Sequence, residues 1–350
     1  MKLVHGGDTV GYRERYGHDA LDFSANVSPL GLPDAVARAI GEAAAQADKY
    51  PDPLCRGLVA ALEKAEGVPK DWILCGNGAA DLIFRLTLAK KPRHALILAP
   101  TFAEYAAALE TVDCEIHRYM LNEADDFALT DGILDAIQPP IDMVFLCQPN
   151  NPTGQAADRP LMRRILAKCE AVGAMLAVDE CFLDFLPDHE AWTMKPNLAA
   201  HPSLFILKAF TKLYGMAGVR LGYGLCADEK LLARMRSVGQ PWAVSSLAQA
   251  AGLAALEQGD YVARVRTLIE TERPYLLAGL RALGLRVIEG KANYLLFRAD
   301  AALGERLERL GAVIRSCGNY PGLDATWYRT AVRTEAENRQ LLRLMKEVLE

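Results

Sequence analysis

Between about residues 70 and 230, short β-rich runs alternate with helical patterns. This alternation constrains the chain more than any other feature of its 350 residues. The candidate strands are WILC (72–75), ALIL (95–98), CEIHRYM (114–120), MVFLC (143–147), MLAVD (175–179), LFILK (204–208) and LGYGLC (221–226). Helix-like segments such as AADLIFRLTLAKK and RPLMRRILAKCEAVG lie between several of them. Strands that alternate with helices pair in parallel and are covered on both faces, so the reading is an α/β fold with a mainly parallel sheet. Ligands of such sheets sit at the carboxyl ends of strands. The residues to examine therefore follow MVFLC, MLAVD and LFILK.

After about residue 230 the pattern changes. Helical runs lead into the short strands LRVIE, YLLFRA, AVIRSC and WYRTAV, and AENRQLLRLMKEVLE closes the chain as a helix. This describes a smaller α+β unit. We expect an N-terminal arm over residues 1–35 that contributes to the small unit and the active site. A large domain is expected over 36–235 and a small domain over 236–350. The first 50 residues otherwise suggest one helix, PDAVARAIGEAAAQA.

A net charge of −5 argues against capture of nucleic acid or of an anionic membrane surface. No apolar run reaches the roughly 18 residues a membrane span needs. The opening MKLVHGGDTVGY has no signal-peptide core, so a cytoplasmic location is expected. The eight cysteines form no CxxC pair, and none has a His at metal-ligand spacing. They read as small buried residues in a reducing compartment, and no metal is expected.

Four motifs carry chemistry. PNNPTG (149–154) follows a buried strand as a rigid turn that presents Asn150 and Asn151, though a plain turn has the same composition. In AVDECFLDF, Asp179 ends an apolar strand, where a desolvated carboxylate needs a partner; a local cap is the simpler alternative. CGNGAAD (75–81) sets a glycine turn before a helix starting near Ala79, a cradle of free N–H groups for one phosphate. A dinucleotide fingerprint would need a third glycine where Asp81 stands, which weighs against a nicotinamide dehydrogenase. LKAFTKLYGMAGVRLGYG places Lys212, and Arg220 eight residues on, between two apolar strands. A phosphate cradle, an acid, an amide and an amine at the strand ends of one sheet match the phosphate, ring nitrogen, phenolic oxygen and aldehyde of pyridoxal 5'-phosphate.

In this combination the motifs resemble fold-type I pyridoxal-phosphate enzymes of the aminotransferase type, in the histidinol-phosphate aminotransferase branch. The matching motifs run from residue 5 to residue 333. Within that branch HGGD, LDFSANVSPLGLP, DKYPDP, PTFAEY, DECFLDF, IRSCGNYPGLD and YRTAVR are similar to the L-threonine-O-3-phosphate decarboxylase family of cobalamin biosynthesis. The aminotransferases usually carry Tyr where this chain has Phe182, and another segment where it has SCGNYPGLD.

The resemblance implies the following roles. Lys212 joins the cofactor aldehyde as an imine, and Asp179 pairs with the ring nitrogen. Asn151 donates to the phenolic oxygen, which at Phe182 loses a second donor. Phe102 stacks on the ring. Gly78, Ala79 and Arg220 take the cofactor phosphate; Ala209 stands where relatives often have Ser, and Lys208 stands where they have Arg and compensates as a point charge. Tyr50 reaches the cofactor phosphate of a neighbouring subunit, which implies a homodimer. Arg315 and Arg329 take the substrate's anionic group, although each also suits an internal salt bridge. His5, with Gly6 and Gly7, forms a lid; Asn26 touches substrate, and Arg333 is a further candidate. The implied substrate is a small phosphorylated amino acid, and the implied reaction is decarboxylation, catalysed without nucleic acid or membrane as partner. A histidinol-phosphate aminotransferase is the alternative. A pyridoxal-phosphate regulator would need a DNA-binding domain ahead of the fold, where only a short arm precedes residue 20.

Overall fold

The computed structural model describes residues 5–350. The strands are β1 (Leu21–Asp22), β2 (Ile73–Gly76), β3 (His94–Ala99), β4 (Glu115–Met120), β5 (Met143–Cys147), β6 (Met175–Asp179), β7 (Leu204–Ala209) and β8 (Gly222–Leu225), followed by β9 (Arg286–Ile288), β10 (Tyr294–Arg298), β11 (Ala312–Val313), β12 (Arg315–Ser316) and β13 (Trp327–Ala331). All seven strands expected before residue 230 join one sheet, ordered β2-β8-β7-β6-β5-β3-β4. Every neighbouring pair is parallel except the two that involve β8. Because β8 opposes both of its neighbours, β2 runs in the same direction as β7. The carboxyl ends of β2, β5, β6 and β7, and the start of β8, therefore share one edge.

Side-chain alternation then decides what faces what. Val144, Leu146, Leu176, Val178, Leu204 and Ile206 pack on one face of this sheet; Phe145, Cys147, Ala177, Phe205 and Leu207 pack on the other. β5 and β6 are buried along their whole length, as expected of central strands covered by helices on both sides. β4, at one edge of the sheet, is the exception: its residues are half-buried or exposed.

Beyond β8, β12-β13-β10-β9 form an antiparallel sheet with its own apolar core around Tyr294, Leu295, Phe297 and Tyr328. The expected single strand AVIRSC is split. Its first half, β11, pairs in parallel with β1, and its second half, β12, joins β13. The arm is thereby tied to the C-terminal part: Phe23 N–H donates to Val313 at 2.8 Å, and Ala331 N–H donates to Phe23 at 2.9 Å. The arm also holds a helix, Thr9–Tyr16, that the sequence reading did not contain; Asp8 caps it by accepting from Gly11 N–H. Among the described residues, no helix is long and apolar enough to cross a membrane. All eight cysteines are buried thiols.

Candidate active site

The shared sheet edge opens into two adjoining cavities of about 390 and 120 Å³. Phe102, Asn151, Phe182, Lys212 and Arg220 line both. His5, Gly6, Asn26, Arg315 and Arg329 line the larger; Ala79, Asp179 and Ala209 line the smaller.

Lys212 sits in a single helical turn, Phe210–Leu213, directly after β7. Its carbonyl accepts from Ser28 N–H at 2.8 Å, and its amine lies 5.6 Å from the centre of the Phe182 ring. Enclosure depresses the amine to about 8; Arg329 and Arg220 push the same way, against Cys181 and Asp179. A lysine so placed is a nucleophile near neutral pH.

Asp179 ends β6 on the face of Ala177, the side that carries Cys147 on β5 and Ala209 on β7. It is 6% exposed, and both its oxygens are fixed: Tyr105 O–H donates at 2.7 Å and Cys181 N–H at 3.0 Å. Tyr105, itself stacked on Phe145 at 5.2 Å, was not singled out from the sequence, although PTFAEY contains it. Phe102 meets Tyr105 edge-on at 5.6 Å and leaves part of its ring open to the cavities.

The two asparagines of the PNNPTG turn separate by role. Asn150 faces inward, accepting from Thr101 at 2.8 Å and donating to Pro100 and Thr153. It holds the turn. Asn151 accepts on Oδ1 from Arg329, and this leaves its amide N–H₂ as the donor available to the cavity.

The cradle at the helix Gly78–Lys90 is shaped by backbone crowding. Gly78 has φ +81°, and a Cβ there would stand 2.8 Å from Arg220 Nη2. Only glycine lets the guanidinium lie against the helix N-terminus, where free N–H groups and the helix dipole favour an anion. Lys208 does not assist it, and this corrects the sequence reading. On β7, Lys208 and Ala209 point to opposite faces, and only Ala209 faces the cavity. Lys208 pairs instead with Asp184 at 2.8 Å and Glu66 at 3.7 Å. Burial alone would depress its amine; Asp184, Glu66 and Glu180 outweigh it and hold the amine above its ordinary value. Glu180 belongs to the same opposite side. Burial raises its carboxyl to about 7 despite Lys208, the Thr193 hydroxyl and Met194 N–H.

Arg329 is 6% exposed, and among the described residues no carboxylate lies within ion-pair distance of it. Its guanidinium donates to Asn151 Oδ1 and, at 2.8 Å, to Ser24 O. With the Asn26 amide oxygen turned toward it, Nε donates there at 3.1 Å. Neutral acceptors position this charge without neutralising it, which leaves it suited to an external anion. Arg315 lies over the Tyr320 ring at 5.5 Å and donates to Asn319 at 2.8 Å. His5 Nε2 is 2.7 Å from Glu104, and its ring lies 5.8 Å from Phe102; the pairing holds the Glu104 carboxyl below its usual range. Gly6 permits the close approach, since a Cβ there would stand 2.5 Å from Ser24 O, and Gly7 N–H donates to Ser24 Oγ at 2.7 Å.

Two expected residues lie elsewhere. Arg333 is held by Glu337 at 2.6 Å beside the last helix and does not line the cavities. Tyr50 is 81% exposed and stacks on Trp242 at 4.5 Å, outside the cavities of its own chain.

An anion cradle that excludes a Cβ, a buried carboxylate with fixed oxygens, an amide donor, an aromatic face and a depressed lysine together fit pyridoxal 5'-phosphate. Comparison with known proteins agrees. The model for aminotransferase class I and II matches residues 18–344. The threonine-phosphate decarboxylase of Salmonella typhimurium is 43% identical over 333 residues, covering 94% of this chain and 91% of that protein. The solved histidinol-phosphate aminotransferase of Clostridium acetobutylicum superimposes with a TM-score of 0.88 at 28% identity, over 94% of this chain and 98% of that one. That of Sinorhizobium meliloti, solved with pyridoxal-5'-phosphate, superimposes with a TM-score of 0.87 at 23% identity, over 100% and 95%. The site and the matches over nearly its whole length lead to one conclusion: the chain belongs to the aminotransferase class I and II family of pyridoxal-phosphate enzymes.

Proposed function

We propose that the chain decarboxylates L-threonine O-3-phosphate to (R)-1-amino-2-propanol O-2-phosphate and CO₂, a step of cobalamin biosynthesis. The observation that carries this reading is Arg329, a buried guanidinium without an acidic partner among the described residues, on the cavity wall with Arg315 and His5. The sequence match to the Salmonella decarboxylase supports the same choice.

Bound pyridoxal phosphate supplies an electron sink for the pair released when a bond at the substrate α-carbon breaks. The chain decides which bond breaks by orienting the substrate. Arg329, Arg315 and His5 hold the substrate phosphate, and the carboxylate is left unclamped. The bond between α-carbon and carboxylate breaks, CO₂ departs, and the Lys212 amine or a water returns a proton to the α-carbon. Asp179, fixed by Tyr105, keeps a proton at the ring nitrogen. Asn151 donates to the phenolic oxygen, and Gly78, Ala79 and Arg220 hold the cofactor phosphate. Phe182 offers no hydroxyl to that oxygen. The arm at His5, joined to Glu104, limits water above the site.

We also infer a cytoplasmic homodimer in which the exposed Tyr50 reaches the neighbouring site. The working division is an arm to residue 35, a large domain to 235 and a small domain beyond. The test is CO₂ release from O-phosphothreonine by the holoenzyme. Absence of CO₂, together with amino transfer between histidinol phosphate and 2-oxoglutarate, overturns the reading in favour of the aminotransferase.

A further inference from the structure

At the far edge of the large sheet, β3 and β4 bring three ligand-type side chains together. His94 and Glu115 are direct partners in the parallel register, and His117 lies two residues further along β4, on the same face as Glu115. His94 Nδ1 is 3.4 Å from His117 Nε2 and 3.5 Å from one Glu115 oxygen; His117 Nε2 is 3.5 Å from the other. The donor atoms of all three residues fall within 4.8 Å of one another.

These separations can be compared with a coordination sphere. Zinc binds imidazole nitrogen and carboxylate oxygen at about 2.0–2.2 Å, and a tetrahedron with such bonds has edges of about 3.4 Å. Two sheet strands, not a mobile loop, hold the donors at that spacing. The side chains are 28%, 36% and 67% exposed for His94, His117 and Glu115, so an ion can enter from solvent and keep a water as its fourth ligand. Two imidazoles and one carboxylate suit an ion of the zinc class better than calcium or magnesium, which prefer all-oxygen shells.

We propose that His94, Glu115 and His117 form a surface site for a divalent transition-metal ion, zinc in particular, remote from the pyridoxal-phosphate cavities. The ion joins β4, the last strand of the sheet, to β3. It binds the folded chain in preference to the unfolded one, where the ligands are separated along the sequence, and so raises stability rather than taking part in the reaction.

The test uses chelator-treated, desalted holoenzyme titrated with Zn²⁺ alone. Calorimetry is expected to show one equivalent per chain, with a rise in the thermal midpoint. Removing a ligand should cost at least as much as removing its supporting partner, so His117→Ala and Glu115→Gln each weaken binding by about tenfold or more and abolish the midpoint shift. His201→Ala, which alters an unrelated surface imidazole, leaves both unchanged. Co²⁺ in place of Zn²⁺ gives intense visible bands in the wild type and not in His117→Ala. Absence of Zn²⁺ binding, or equal affinity in the wild type and both ligand variants, overturns the proposal. Undiminished CO₂ release from O-phosphothreonine shows that each variant is folded.

Discussion

Replacement of Arg329 by methionine separates a substrate-binding charge from a structural one. The guanidinium is buried, donates to Asn151, Ser24 and Asn26, and has no carboxylate partner among the described residues. Its removal orphans no acid, but the buried acceptors on Asn151, Ser24 and Asn26 lose their donor, and the apolar volume of methionine offsets that only in part. The thermal midpoint should therefore fall, though the variant stays folded. Catalysis should fall much further. Removing one partner of a buried charge-assisted contact costs about 2–5 kcal/mol. At about 1.4 kcal/mol per tenfold, kcat/KM for O-phosphothreonine falls by about 30- to 4,000-fold. Loss of the positive charge near Lys212 also removes part of what depresses its amine, so the cofactor-free lysine titrates above about 8 in the variant. Steady-state CO₂ release, a thermal melt and a pH titration read the three effects. An unchanged kcat/KM, or a loss of folding that matches the loss of activity, refutes the assignment.

In Gly78→Ala, the added Cβ meets the Arg220 guanidinium at 2.8 Å and φ stays at +81°; cofactor affinity should fall about tenfold or more by equilibrium dialysis while the fold is kept. In Lys208→Met, Asp184 and Glu66 lose a buried cation. Urea unfolding should show about 3–5 kcal/mol lost, with cofactor affinity unchanged, because Lys208 lies on the opposite face of β7. The Lys212 amine is depressed to about 8 in the folded protein, against about 10.4 unfolded. Across that window the unfolded chain binds more protons. Cofactor-free wild type should therefore gain stability from about pH 8 to pH 10 relative to Lys212→Met, and parallel curves contradict this.

The alternation of strands and helices was enough to locate the large sheet, because β5, β6 and β7 are buried on both faces and read as apolar runs broken only near their carboxyl ends, at Asp179 and Lys208. Strand direction was less visible: β8 is antiparallel, and nothing in GYGL distinguishes it. The division of AVIRSC between two sheets depends on where the arm returns, which local pattern does not encode. Side-chain facing explains the error at Lys208. Its spacing from Lys212 resembled a relative's arginine, but the strand pleat turns it away. Tyr105 escaped notice because its partner, Asp179, is 74 residues away. For the same reason His94 and His117, 23 residues apart, did not register as a pair.

Every role assigned to the site depends on the amine at Lys212 carrying the cofactor. Borohydride reduction of the holoenzyme, followed by peptide mapping, tests this directly. A stable pyridoxyl adduct on Lys212, absent after Lys212→Met, is the expected result. An adduct on another lysine, or none, contradicts it.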